Sequence, residues 1–221
     1  MEVVEAIRAR KSIRGYKADP VPRQILNDIL QTAIRAPSGM NTQPWKFTVV
    51  TGEVLEELRR ANIEKFEAGE APHPDVPIDS FTDIYRKRQV EVGVQLFQLM
   101  GIAREDKEKR DQWTRKGFRC FDAPAVIMIS VDRSLGVDRS MMAVGAVAQT
   151  IALAALSYGL GTCIQDWGVL YPEVVRRLTG IAESERIVIC LSIGYPDWDF
   201  PANKLESTRE PVENCTTWCG T

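Results

Sequence analysis

Basic side chains crowd residues 8–17, and a serine stands among them. They are Arg8, Arg10, Lys11, Arg14 and Lys17, with Ser12 at the centre. Arginine can hold a phosphate monoester through charge-assisted hydrogen bonds, and a serine hydroxyl can add another. If Arg10 and Ser12 lie on a turn after a helix, Arg14 can reach a further oxygen of the same ligand. A solvated basic helix end explains the charge equally well, so both interpretations stay open at this point.

A second group of polar side chains lies between two prolines. Ser38, Asn41 and Gln43 fall between Pro37 and Pro44, in a segment that precedes a predicted strand. Proline stiffens the backbone, so these amide and hydroxyl groups are held in fixed directions. A rigid loop between a helix and a strand explains the prolines and glycine of this segment. It explains the three polar side chains together less well.

The sequence gives little support for other kinds of catalytic or binding site. The chain has one histidine, His73, which lies between two prolines where a surface loop is expected, so catalysis by a serine–histidine pair is disfavoured. No dinucleotide fingerprint and no Walker A sequence is present. No metal site is predicted. The five cysteines have no regular spacing, which favours a reducing compartment over a disulfide framework. A formal net charge of −2 argues against a nucleic-acid partner.

The 221 residues predict one domain, 1–221, made of helices interleaved with about four strands. Apolar spacing predicts helices at 2–10, from Val21 to Pro37, at 53–67, 81–101, 104–118, 141–160 and 171–178. Strands are predicted at 46–51, 125–131, 162–165 and 186–193. The proline-rich segment 68–80 is predicted to be a flexible loop, and 195–221 an extended C-terminal tail.

One segment, 141–160, is apolar enough to raise the question of a membrane. It contains Gln149, Thr150 and several alanines, so a helix buried inside the protein is predicted, and no membrane partner. Its small residues would let a helix of a second subunit approach closely. The N-terminus starts with acidic residues and lacks an apolar signal segment, so a cytoplasmic location is predicted.

Read in order, these motifs resemble the FMN-dependent nitroreductase family, in particular its 4-nitrobenzoate reductase-like branch. The resemblance rests on Arg10-Lys11-Ser12-Ile13-Arg14, then Pro37-Ser38-Gly39-x-Asn41-Thr42-Gln43-Pro44-Trp45, then Gly159-Leu160-Gly161-Thr162-Cys163-x-Gln165, then Gly194-Tyr195-Pro196 and Arg209-Glu210-Pro211. It covers nearly the whole chain. It implies an α+β fold, with a central mixed β-sheet covered by helices, in an interlocked homodimer.

The resemblance also implies a set of cofactor-binding residues. FMN would lie at the dimer interface, with its phosphate, ribityl chain and pyrimidine edge held by Arg10, Lys11, Ser12, Arg14 and Arg209. Pro37, Ser38, Gly39 and Asn41 would approach the flavin from the partner subunit. Gln165 and Asp166 would lie by the N5 and O4 edge, chiefly through backbone groups.

The implied chemistry needs no catalytic side chain, because the flavin N5 carries it. NADH or NADPH would pass a hydride to the flavin and leave, and a small-molecule oxidant would then enter the same space, which is a ping-pong mechanism. Nitroaromatic, quinone or related electrophiles are the implied oxidants. The alternatives are a reductive dehalogenase or enone reductase on the same fold, and a catalytically idle FMN-binding module. Asp166-Trp167 departs from the small residues expected there, so the oxidant preference stays open.

Overall fold

The computed structural model describes residues 2–220, which form an α+β fold around one four-stranded sheet. The strands are β1 (Trp45–Thr51), β2 (Ala125–Asp132), β3 (Gly161–Gln165) and β4 (Glu185–Gly194). Their spatial order is β1-β2-β4-β3. β2 is apolar on both faces and almost wholly buried, because helices cover both sides of the sheet centre.

The three strand pairs are all antiparallel. Within residues 2–220, the only parallel pairing is an isolated bridge between Ser12 and Thr162. The resemblance implies a mixed sheet. In residues 2–220 this single bridge is the parallel part of the sheet, and the four strands themselves pair antiparallel. Side chains alternate in the same way along a strand whichever way its neighbour runs, so the strand sequences alone could not give the pairing direction.

Seven α-helices lie close to their predicted positions. They are α1 (Val3–Ala9), α2 (Arg23–Ala33), α3 (Gly52–Glu67), α4 (Asp83–Leu99), α5 (Lys107–Phe118), α6 (Val137–Leu156) and α7 (Pro172–Thr179). α2 and α6 pack on one face of the sheet, and α3, α5 and α7 on the other. Leu96 of α4 packs against Ala202 and Leu205, which attaches the C-terminal segment to the body.

α6 is the one helix within residues 2–220 that is long and apolar enough to cross a membrane. Its inner side, with Val147 and Ile151, is fully buried beside the sheet. A core helix of a folded domain has the same length and composition. Its outer side exposes Met142, which is 69% accessible.

The segment 68–80, named the strap below, has no helix or strand and is tied down near its centre. The Asp75 carboxylate accepts hydrogen bonds from Arg176 at 2.7 Å, Arg133 at 2.6 Å and the backbone N–H of Ile187 at 2.8 Å. The Tyr171 hydroxyl also donates to the Glu70 carbonyl at 2.9 Å. The prolines predict a flexible loop, and they give no sign of these anchors.

Candidate functional site

Residues 8–17, named the basic segment below, are attached to the outer edge of β3. After α1 the chain becomes extended at Arg10. Ser12 then pairs with Thr162, and the N–H of Ile13 donates to the Thr162 carbonyl at 2.9 Å. Ile13 is almost fully buried, so the segment is fixed by packing as well as by hydrogen bonds. The side chains of Arg10, Ser12 and Arg14 therefore project from a backbone with little freedom.

A buried asparagine from the C-terminal segment holds the same loop. The Asn203 amide oxygen accepts from the backbone N–H groups of Arg14 at 2.7 Å and Gly15 at 3.2 Å. Its amide nitrogen donates to the carbonyls of Gly15 and Asp197, each at 2.7 Å. All four hydrogen-bonding positions of the side chain are thus used. Asn203 joins the two ends of the chain beneath the basic segment.

Gly161 lets the basic segment lie against β3, and replacing it with alanine should destabilise the protein. A Cβ at this position would lie 2.4 Å from Cγ1 of Ile13 and 2.9 Å from Pro196. We expect a loss of about 1–3 kcal/mol in the free energy of unfolding, the usual cost of overpacking. Urea denaturation measures it. Gly93→Ala, inside α4, is the control, because among residues 2–220 a Cβ there meets nothing within 4 Å. Equal stability of the two variants would contradict the prediction.

A cavity of about 560 Å³ opens between α1, the basic segment and the C-terminal tail. Its charged lining consists of Arg8, Arg10, Lys11, Arg209 and one acid, Glu206. Within residues 2–220, Arg10, Lys11 and Arg209 take part in no ion pair. Positive charge without a paired carboxylate is the electrostatic property of an anion-binding site. We name it the basic cavity.

The basic cavity brings Arg10 near Arg209, although these residues lie far apart in the sequence. Burial and then the Arg209 guanidinium lower the pKa of Arg10, while the nearby Cys163 thiol acts in the opposite direction. Among residues 2–220, the guanidinium of Arg209 donates only to the hydroxyl of Ser207 and to the carbonyls of Ser207 and Thr208. A dianionic phosphate between the two arginines would relieve their repulsion and use their free donors.

At the end of β3, the Gln165 side chain turns into the protein interior. Its amide nitrogen donates to the Ser192 hydroxyl at 3.0 Å, and that hydroxyl donates to the Cys120 carbonyl at 2.9 Å. The Gln165 amide oxygen is buried and has no hydrogen-bond partner in the described part of the chain, residues 2–220. Asp166 follows, half-buried, at the start of a 3₁₀ turn (Trp167–Val169). The Gln165 side chain is therefore turned away from this edge, so a ligand here would meet the backbone of Gln165, whose carbonyl also accepts from the Cys190 thiol at 3.2 Å.

Ile164 is a candidate site residue that sequence reasoning misses. It is 37% exposed, whereas every other residue of β3 is buried. Side chains alternate along a strand, so a residue between inward-facing Cys163 and Gln165 points outwards. That alternation was the available signal. An exposed aliphatic side chain next to the basic segment offers a flat surface to an aromatic ring.

The loop with Pro37, Ser38, Gly39 and Asn41 lies elsewhere on the chain. Of these four residues only Gly39 lines another cavity, of about 510 Å³, and that cavity shares no lining residue with the basic cavity. Asn41 has a φ of 57°, a left-handed conformation that asparagine tolerates better than most residues. The Ser38 hydroxyl accepts from the N–H of Gln43 at 3.0 Å. Within one chain these residues do not join the arginines.

Residues 2–220 contain no group of three or more metal-ligating side chains. The side chain of His73 is exposed and lies 2.8 Å from the Glu173 carboxylate. Burial raises the pKa of the Cys163 thiol, and weaker contributions from Arg14 and Ser12 oppose this. Such a thiol is protonated near neutral pH, so it is a poor nucleophile.

Comparison with known proteins identifies the relatives of this fold and site. The model of the Nitroreductase family matches residues 7–195. A nitrobenzene nitroreductase from Ectopseudomonas oleovorans is 34% identical, over 97% of this chain and 95% of the relative. A 4-nitrobenzoate reductase from Nocardioides sp. strain LMS-CY is 32% identical, over 99% and 90%. The crystal structure of the FMN and NADPH-dependent nitroreductase NfnB from Sphigopyxis sp. strain HMH superposes with a TM-score of 0.95 at 31% identity, and each chain is fully covered.

Proposed function

Because this chain belongs to the nitroreductase family, we propose that it is an FMN-dependent oxidoreductase that uses NADH or NADPH to reduce nitroaromatic compounds. The observation that carries the proposal is the basic cavity, in which Arg10 and Arg209 lie together without a paired carboxylate. The five cysteines are all free, which suits an enzyme of the cytoplasm.

The residues present fit a flavin phosphate. Arg10 and Arg209 would clamp the phosphate from two sides, and Lys11 would add charge at the rim of the cavity. Ser12 would donate a hydroxyl hydrogen bond, and Arg14 would reach the ribityl chain or the pyrimidine edge. Asn203 would not touch the ligand; it would hold the backbone from which Arg14 projects.

The isoalloxazine ring would then lie along β3. Ile164 would pack against one face of the ring, and burying its exposed aliphatic surface would favour binding. The backbone groups of Gln165 and Asp166 would face the N5 and O4 edge. Positive charge on Arg14 near the pyrimidine carbonyl would favour the anionic form of the reduced ring.

We propose that a second copy of the chain completes the site. Pro37, Ser38, Gly39 and Asn41 do not meet the basic cavity within one chain, so they would close the flavin site of the other subunit. Exposed apolar side chains of Val3, Val4 and Ile7 on α1 and of Met142 on α6 offer surface for such a dimer.

Bound FMN would supply the chemistry by accepting a hydride from NADH or NADPH and reducing a nitroaromatic, quinone or related electrophile in a ping-pong cycle. The chain's own residues would bind, orient and shield the reactants. No side chain is assigned a covalent step. Reductive dehalogenation or enone reduction is the alternative use of the same site, and an idle FMN-binding module is the other.

Absorbance spectroscopy of the purified protein tests the proposal. We expect a flavin spectrum that bleaches on anaerobic addition of NADH or NADPH and returns on addition of nitrobenzene. Bleaching no faster than that of free FMN would support the idle module. Recovery with a halogenated phenol or an enone, but not with nitrobenzene or a quinone, would support the alternative reductions. A protein that cannot be loaded with FMN would overturn the proposal.

A further inference from the structure

A second cavity of about 560 Å³ lies beneath the strap, away from the basic cavity. Its walls include the aromatic side chains of Phe66, Phe118, Trp167 and Tyr171, and Ile78 of the strap lies over it. Asp166 forms part of its lining, so it adjoins the edge of β3 that ends in Gln165. Its volume lies within the range of small-molecule sites, about 300–1,000 Å³. We name it the strap cavity.

The aromatic walls hold one another in place. Phe118 stands at the centre, with ring centroids 5.0 Å from Phe66, 5.1 Å from Trp167 and 5.8 Å from Tyr171. Trp167 also packs on Gly117, where a Cβ would lie 2.8 Å from the indole. Offset and edge-on rings in such contact form a stable apolar surface. A ligand ring entering the cavity would meet side chains already in position.

The strap is fixed over this cavity by the Asp75 anchors and by two backbone contacts. The N–H of His73 donates to the Leu170 carbonyl at 3.1 Å, and the Tyr171 hydroxyl donates to the Glu70 carbonyl. These contacts hold the strap in one position over the cavity. A preformed site avoids the cost of ordering a loop when the ligand binds.

The charged side chains of the strap cavity are both acids, Asp166 and Glu70. Glu70 is paired with Lys65 at 2.6 Å. Asp166 is half-buried and, within residues 2–220, its carboxylate has no hydrogen bond or ion pair. Arg115 lies 5.7 Å from the Phe66 ring centroid, outside the lining, and is paired with Glu67. The cavity is thus aromatic with one unpaired negative charge.

We propose that the strap cavity binds the ring of a cationic aromatic compound, with Asp166 as the partner of its ammonium group. Aromatic faces attract cations, and a half-buried carboxylate attracts them further. A carboxylate on the ligand would instead be repelled. The idea that this compound is a substrate rests on the proposed function, because the strap cavity would place the compound beside the Gln165 edge, where the flavin is proposed to lie. As a binding site it stands alone.

Calorimetry on the FMN-loaded protein tests the site with two probes that cannot be reduced. Benzyltrimethylammonium should bind, and benzoate should bind at least tenfold more weakly. Asp166→Asn should weaken binding of the cation by about fivefold, the effect of a partly exposed ion pair. Asp79→Asn removes the same charge from an exposed strap residue outside the lining, and should change the affinity less than twofold.

A second variant tests the location. Thr114 lines the cavity from α5, so Thr114→Trp should take up part of its volume and weaken binding of the cation. An unchanged urea midpoint shows that this variant is folded; if it unfolds, Ile78→Ala, which removes apolar contact from the strap, should weaken binding instead. Cation binding that is equal in Asp166→Asn and the unmodified protein, or that matches benzoate, or that neither location variant weakens, would overturn the proposal.

Steady-state kinetics test whether a compound bound in the strap cavity is reduced. The ratio of kcat/KM for 4-nitrobenzyltrimethylammonium to that for 4-nitrobenzoate should exceed one and fall in Asp166→Asn. If no nitro compound is reduced but calorimetry shows the cation bound, the proposed function fails and the binding site stands. If both nitro compounds are reduced with a ratio that Asp166→Asn does not change, the site does not serve the substrate.

Discussion

Replacing Arg10 with alanine should weaken FMN binding by about 10- to 150-fold, the effect of losing a charged hydrogen bond worth about 1.5–3 kcal/mol. Arg10 lines the basic cavity beside Arg209, and its guanidinium takes part in no ion pair within residues 2–220. Its donors are therefore available to a phosphate. Fluorescence titration of the apoprotein with FMN measures the change.

Riboflavin provides the sharper control, because it lacks the phosphate. Its affinity should change by less than threefold in the Arg10→Ala protein if the guanidinium acts on the phosphate. Arg177→Ala, an exposed arginine of α7, should leave FMN binding unchanged. Equal losses for FMN and riboflavin would show that Arg10 supports the fold of the loop and does not bind the phosphate.

Replacing Asp75 with alanine should destabilise the protein by about 3–5 kcal/mol, as expected when one member of a buried ion pair is removed. The side chains of Asp75 and Arg176 are only 10% and 8% exposed. Without the carboxylate, Arg176 would lose its buried counter-charge and the N–H of Ile187 its acceptor. Urea denaturation measures the loss. Asp79→Ala, an exposed strap residue, is the matched control and should cost less than about 0.5 kcal/mol.

The Asp75 carboxylate should also make the free energy of unfolding depend on pH. Burial alone would raise the pKa of Asp75, but hydrogen bonds from Arg176, Ile187 and Arg133 outweigh it, so the pKa is lowered in the folded state. The carboxylate therefore contributes stability above its ordinary pKa, and this is lost as pH falls through the lowered value. The stability gap between the unmodified protein and Asp75→Asn should be constant from neutral pH to about pH 5 and shrink below about pH 4. A gap that widens in acid would contradict this.

Local sequence patterns are enough to predict where the helices and strands lie. The spacing of Leu26, Ile29 and Ala33 predicted α2, and all three are buried against the sheet. The apolar run at 125–131 predicts a strand, and β2 is that strand, with a neighbour on each side in the sheet. These features depend on periodicity within a short window, which the residues carry themselves.

Contacts between distant segments could not be predicted in this way. In the sequence, Asp75 is a single acidic residue in a proline-rich loop. In the fold, its carboxylate accepts hydrogen bonds from Arg133, Arg176 and Ile187. Asn203 has no motif around it, and its importance follows only from the position of Arg14 and Gly15. The basic cluster was visible from composition, whereas its meeting with Arg209 required the fold.

The Asn203 link has a consequence for biosynthesis. Arg14 and Asn203 are 189 positions apart, so the backbone N–H groups of Arg14 and Gly15 gain this acceptor only after residue 203 has been translated. The sheet centre, β2 with β4, can assemble earlier, since domains begin to fold on the ribosome. A nascent chain that stops before residue 203 would then have a core, but its basic cavity would lack Arg209 and the backbone at Arg14 would lack the Asn203 hydrogen bond. Retention of FMN would thus distinguish chains that extend past Arg209 from chains that stop before Asn203.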